Sequence, residues 1–207
     1  MKTVKVVLFD LGNVLVRYTP ESFWTELGLE DKTQWRKFEK GVHQLSTKFE
    51  MGKIDTERFL GELEILFKKK FTREALCKAV ASVLTRPIRG MNALVARVAN
   101  STEAGLVSNT NEMHYVYCLG AIPSLKFLPK HFLSYKLGVM KPDPRFYKAV
   151  IRSLGEKPSS MIFIDDVEEN VRGARKAGMV GIVFQNAKQL EGRMGELGLW
   201  RKEESEM

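Results

Sequence analysis

The sequence has no apolar run approaching the roughly 18 to 20 residues that span a bilayer, so no membrane segment is expected. It also lacks a recognisable secretory leader. Met1-Lys2-Thr3-Val4-Lys5-Val6-Val7 enters a strand-like stretch almost at once, without an apolar segment and a small-residue cleavage site. Cysteine is scarce. Cys77 and Cys118 stand far apart in apolar surroundings, with neither metal-ligand nor redox spacing. They read as reduced core thiols, and the chain reads as cytoplasmic. Internal repeats, low-complexity segments, zinc-finger spacing and an aromatic-basic sheet motif are all missing, which leaves little support for a nucleic-acid partner.

What is present is ordinary globular material: 207 residues, 44% hydrophobic and 28% charged, enough for one sizeable core or a core with a smaller insert. The net charge of +8 is spread along the chain. Its densest run, Lys68-Lys69-Lys70, falls at an expected helix end, where lysines complement the helix dipole. A positive field of this kind draws in small anions such as phosphate esters.

Two textures alternate. Residues 4–10 (VKVVLFD), 104–110 (AGLVSNT) and 161–166 (MIFIDD) are short apolar runs ending in polar residues, and 178–184 (GMVGIVF) is a fourth apolar run. Such runs suit strands of a parallel sheet buried on both faces. Helical patterns at Pro144–Leu154 and Glu168–Ala177, the latter stopped by Gly178, separate the later strands. The expected fold is α/β: a Rossmann-like parallel sheet core flanked by helices and built with right-handed crossovers. Between them, residues 17–86 read as four amphipathic helices: Glu21–Leu27, Lys32–Lys48, Thr56–Phe67 and Thr72–Leu84. Asp55 is placed to cap the third, and Arg86-Pro87 returns the chain to the sheet. This gives a helical cap (17–86) inserted after the first strand of a core made of 1–16 and 87–207. The charged tail from Arg201 to Met207 is expected to fray.

Four polar clusters sit at strand ends or in adjacent loops, where ligands of parallel sheets gather. Asp10-Leu11-Gly12-Asn13-Val14 offers a carboxylate and a tight turn, although a lone aspartate after a strand is usually a turn or cap residue. Ser108-Asn109-Thr110 offers a hydroxyl and free N–H groups for a phosphoryl oxygen, or an ordinary capped turn. Lys141-Pro142-Asp143-Pro144 offers an ammonium that either neutralises a transferring phosphoryl group or is merely solvated. Asp165-Asp166 places two adjacent carboxylates after a buried strand. Like charges that close need a compensating cation, and hard oxygen donors suit Mg²⁺; the plainer alternative is a helix-capping pair.

In order and content, these clusters resemble the motifs of the haloacid dehalogenase superfamily, subfamily IA, across nearly the whole chain. FDLGNVLV resembles its nucleophile motif, LVSNT its phosphate-binding motif, GVMKPDPRFY its lysine motif, and IFIDDVEENVRGARKAGM its acidic metal motif. FEMGKI at 49–54 resembles a recurrent cap sequence, and DLGNV is similar to bacterial glucose-1-phosphate phosphatase-like members. The resemblance implies a Mg²⁺-dependent phosphatase acting on a small phosphomonoester, with sugar phosphates favoured. Asp10 would be the nucleophile, forming an aspartyl-phosphate. Ser108, Asn109 and Lys141 would hold the phosphoryl oxygens, with Lys141 also restraining Asp10. Asp10, the Gly12 carbonyl, Asp166 and Asp165 (directly or through water) would hold the metal, and Asn170 would orient the acidic loop or a metal-bound water.

One departure matters. Phosphatases of this superfamily usually carry a second aspartate two positions after the nucleophile, as general acid and base, and here that position is Gly12. Help of that kind is worth about 10² to 10⁴ in rate. His43 and Glu50 of the cap are the candidates to supply the proton, and the anomeric leaving group of a sugar-1-phosphate lessens the need. Two other readings stay open: a phosphate-ligand binding protein without turnover, and a haloacid dehalogenase. The second sits badly with Asp165-Asp166, which would repel a substrate carboxylate. The sequence leaves monomer or homodimer open.

Overall fold

The computed structural model describes residues 3–200, so the expectation for the charged tail falls outside it. The first half of the chain contains β1 (Val6–Phe9), β2 (Val16–Tyr18), α1 (Ser22–Glu26), α2 (Lys32–Glu50), α3 (Thr56–Leu66), α4 (Arg73–Ser82), β3 (Leu84–Pro87) and α5 (Met91–Ser101). The second half contains β4 (Glu103–Ser108), α6 (Glu112–Ala121), β5 (Lys130–Leu133), α7 (Ser134–Leu137), α8 (Pro144–Leu154), β6 (Met161–Asp165), α9 (Glu168–Lys176), β7 (Val180–Val183) and α10 (Ala187–Glu196).

Five strands form one parallel sheet in the order β5-β4-β1-β6-β7. The continuous apolar character of β1 has a direct cause: Val6 to Phe9 have no exposed surface at all. Val7 and Phe9 belong to one apolar cluster, Val6 and Leu8 to another. The two-residue period therefore feeds a core on each face of the sheet, and each such side chain contributes about 1.5 to 3 kcal/mol of burial. All four expected apolar runs are strands of this sheet. The fifth, β5, was not expected from the sequence; only Phe132 and Leu133 of Lys130–Leu133 are buried, as befits an edge.

The chain leaves the sheet after β1 and packs four helices, α1 to α4, before β3. Arg86-Pro87 do not rejoin the main sheet, as the sequence suggested; β3 instead pairs antiparallel with β2 in a separate two-stranded sheet. Proline tolerates such an edge position because no ladder hydrogen bond is asked of its nitrogen. The expected cap is in place: the Asp55 carboxylate accepts from the Arg58 N–H at 2.8 Å, opening α3. An aromatic cluster binds these helices to one another, with Trp24 and Trp35 stacked at 5.0 Å.

The turn between α2 and α3 is held against α7 by a glycine. Gly52 has φ +64°, and a Cβ there would lie 2.1 Å from the Tyr135 carbonyl oxygen. Only glycine accepts both the left-handed backbone and the close approach. Gly52→Ala is expected to destabilise the fold by about 2 kcal/mol or more in chemical denaturation. A change within about 0.5 kcal/mol would mean that the turn relaxes freely. Among the described residues, no helix is long and apolar enough to cross a membrane. Cys77 and Cys118 are free thiols, and burial pushes Cys118 up to about 12.

Candidate active site

Register brings the polar clusters together. Phe9 pairs with Leu106 on one side and Ile164 on the other, so Asp10, Ser108 and Asp165 leave the sheet at the same carboxyl edge. The Asp10 N–H donates to the Ile164 carbonyl at 2.9 Å, which fixes the backbone at that point.

The Lys141 ammonium is the hub. It lies 2.8 Å from Asp10 Oδ1 and 2.6 Å from Asp165 Oδ2, and it donates to the Val107 carbonyl at 3.2 Å. These three partners match its three donors, so the nitrogen is fixed in position while 3% exposed. The loop that carries it is clipped to the end of β4 by Asn109. That side chain accepts from the Lys141 N–H at 2.8 Å and donates to the Lys141 carbonyl at 2.9 Å. Beyond it, Ser134 Oγ bridges the N–H and the carbonyl of Thr110, at 2.9 and 3.0 Å.

The two acidic neighbours differ in their surroundings. Asp165 is fully buried and accepts from Lys141, from the Val167 N–H at 2.9 Å and from Asn170 Nδ2 at 3.0 and 3.1 Å. Asn170 thus holds the acidic loop. Asp166 turns towards the cavity and accepts from Asn13 Nδ2 at 3.1 Å. Asn13 was not singled out in the sequence. Its φ of 52° is left-handed, which asparagine tolerates better than most residues, and its Oδ1 accepts from the Tyr18 N–H at 3.1 Å. It ties the turn after β1 to the acidic pair.

Asp10, Asp165 and Asp166 each offer an oxygen within 4.8 Å of the others. Three carboxylates with one ammonium carry two surplus negative charges when ionised, and the environment registers the strain. Burial, partly offset by Lys141 and reinforced by Asp165, pushes Asp10 up to about 7. Burial also raises Asp166, against the hydrogen bond from Asn13. Burial works against the Lys141 ammonium, but Asp10 and Asp165 outweigh it and hold its pKa above the ordinary lysine value. A divalent cation among these oxygens would relieve the excess, and an all-oxygen donor set suits Mg²⁺.

Asp10, Gly12, Ser108, Asn109, Lys141, Asp166 and Asn170 line one cavity of about 250 Å³, with Asp165 behind it. Tyr18, Glu50 and His114 line it too, so α2 closes over the sheet edge. Of the two proton donors considered in the sequence, His43 does not line this cavity and Glu50 does.

Residues 4–178 match the model of the haloacid dehalogenase-like hydrolases. Flavin mononucleotide hydrolase 1 of Arabidopsis thaliana is 28% identical over 96% of this chain and 79% of its own length. D-ribitol-5-phosphate phosphatase of Bacteroides thetaiotaomicron is 26% identical over 84% of this chain and 89% of its own. A HAD family enzyme of Bacteroides thetaiotaomicron, solved as a magnesium complex, is 25% identical and superposes with a TM-score of 0.83. That match covers 93% of this chain and 99% of the other.

Proposed function

This chain belongs to the haloacid dehalogenase-like hydrolase family, and from that premise we propose that it hydrolyses a small phosphomonoester with Mg²⁺ through an aspartyl-phosphate on Asp10. The observation that carries the reading is the convergence of Asp10, Ser108, Lys141 and Asp166 on one small cavity. Helices α1 to α4 act as the cap of this site, residues 17–86, over a core of 1–16 and 87–207.

The division of labour follows the contacts. Asp10 attacks phosphorus, with Lys141 fixing one of its oxygens so that the other faces the ester. Ser108 and the Asn109 N–H hold the phosphoryl oxygens while charge is redistributed, and Lys141, whose three donors serve Asp10, Asp165 and Val107, adds its positive charge beside them. Mg²⁺ would be held by Asp10, Asp166 and the Gly12 carbonyl, with Asp165 reaching it through water because its oxygens already serve Lys141, Asn170 and Val167. When bound, the ion neutralises the phosphoryl group and lets two anions meet.

A polyol or sugar phosphate is the first substrate class to test, since one relative is named for D-ribitol-5-phosphate. Flavin mononucleotide, for which another relative is named, is the second. Gly12 favours one rival: a binding protein that holds phosphate esters without turning them over. Phosphate release from a panel of monophosphates separates them. Turnover is expected with Mg²⁺, with a loss of about 10²-fold or more on chelation and recovery on adding the ion back. Tight ester binding without release under any metal would favour the rival.

A further inference from the structure

The small cavity at Asp10 is not isolated. A second cavity of about 310 Å³ lies beside it, lined by apolar side chains such as Phe23, Trp24 and Phe59 and by polar ones such as Glu39, His43 and Thr47. Tyr18, Glu50 and His114 line both cavities and therefore form the seam between them. An ester with phosphorus against Asp10 and its carbon body in the second cavity has its bridging oxygen at this seam. We propose that Glu50 donates the proton to that leaving oxygen, in place of the acid absent at Gly12, and that the leaving group is a neutral alcohol. The inference rests on Asp10 being the nucleophile.

The other two seam groups are unsuited to the task. His114 Nε2 lies 2.9 Å from the Val80 carbonyl, which only an N–H can approach, so Nδ1 is left to accept from Asn111 Nδ2 at 3.0 Å. Both ring nitrogens are committed, and burial lowers the group to about 4, so the ring is neutral and its one N–H is held by the Val80 carbonyl. Burial raises the Tyr18 hydroxyl further above its already high value, with Glu50 and Glu21 adding to the effect. Glu50 is different: among the described residues its carboxyl group has no hydrogen-bond or ion-pair partner, and it borders both cavities. Burial brings it to about 7, where both of its forms are populated near neutrality.

The step balances. An Asp10 oxygen bonds to phosphorus as the bond from phosphorus to the leaving oxygen breaks; the electron pair stays on that oxygen, which takes the Glu50 proton and departs as an alcohol. In the second half, the Glu50 carboxylate takes a proton from the water attacking phosphorus. The Asp10–phosphorus linkage then breaks, inorganic phosphate leaves and Glu50 is protonated again. The neutrality of the alcohol follows from the lining: among the described residues no lysine or arginine borders the second cavity, whereas Glu39 and Glu50 do, and His43 is a neighbour that can hydrogen-bond a hydroxyl. A second phosphate or a carboxylate on the substrate would lie there beside two acidic side chains, with no permanent cation to meet it.

The test compares leaving groups in Glu50→Gln. Turnover of an alkyl phosphate is expected to fall about 10²- to 10⁴-fold, and that of p-nitrophenyl phosphate at least about tenfold less, because nitrophenolate leaves without a proton. Equal losses on both, or no loss on either, would overturn the proposal. Position 12 can receive an acid, since a Cβ there comes no nearer than 3.6 Å to Tyr18 Cβ. Gly12→Asp added to Glu50→Gln should restore alkyl phosphate turnover at least about tenfold, and unchanged selectivity in the double variant would count against Glu50. Asp10→Asn separates the two levels: if it still hydrolyses p-nitrophenyl phosphate, the nucleophile reading itself has failed. If it is inert while Glu50→Gln is unselective, only the Glu50 proposal has. For the leaving group, a polyol monophosphate should have a kcat/KM at least about tenfold above that of the matching bisphosphate. The reverse order would overturn the neutral-alcohol assignment and move the body to the groove lined by Arg17, Arg86 and Arg89.

Discussion

Asp10→Asn is expected to lower phosphomonoester turnover by about 10⁴-fold or more, because an amide cannot form the covalent intermediate. The substitution is nearly isosteric, so the sheet edge that holds residue 10 should survive it. The Asp10 N–H bond to Ile164 is a backbone contact and does not depend on the side chain. The change also removes one of three clustered carboxylates, which eases their repulsion. Stability should therefore hold or rise while activity vanishes, the signature of a group that acts in chemistry rather than in packing. Turnover within about tenfold of the native protein would show that Asp10 is not the nucleophile.

The second large effect belongs to Lys141. Its ammonium is the counter-charge for two buried carboxylates, so Lys141→Met leaves Asp10 and Asp165 facing each other without it. Removing one partner of a buried ion pair costs about 3 to 5 kcal/mol. For a chain of this size that corresponds to a fall in Tm of about 6 °C or more. Activity should fall at least about 10²-fold as well, from the loss of the positive charge that restrains Asp10 beside the phosphoryl group. Lys141→Arg should recover neither in full, since a planar guanidinium cannot reproduce three converging contacts in a site that is 3% exposed. A Lys141→Met protein whose Tm stays within about 2 °C of native would contradict the hub assigned to it.

These expectations rest on features that were unevenly legible in the sequence. The core strands were plain because burial on both faces leaves no room for alternation: Val6 to Phe9 must all be apolar. The polar ends of three of those strands then marked the site, since the register of a parallel sheet brings carboxyl ends to one edge. The edge strand β5 was hidden for the converse reason, as half of Lys130–Leu133 faces solvent. Asn13 escaped because its only signal was tolerance of a left-handed backbone, and the clip between Asn109 and Lys141 joins loops 32 positions apart that no local pattern links.

Helix α2 shows most clearly where periodicity stops being informative. His43 and Glu50 lie seven residues apart, so they share a face of α2, and the sequence could not choose between them. The choice is made by position along the axis: two helical turns, about 10.5 Å, separate them. Glu50 ends the helix and reaches the seam, whereas His43 borders the second cavity alone. Gly52 then fixes where that helix end lies, through its contact with Tyr135. A sequence motif read only as a family resemblance thus acquires a physical cause.

The most direct measurement is to quench the enzyme in acid during turnover of a fast monophosphate and map the phosphoryl group by peptide mass spectrometry. The group should be found on the peptide that contains Asp10, on its carboxylate, and should be missing from the Asp10→Asn protein. A phosphoryl group on another side chain, or full turnover with no covalent species at any quench time under conditions that preserve acyl phosphates, would contradict the proposed chemistry.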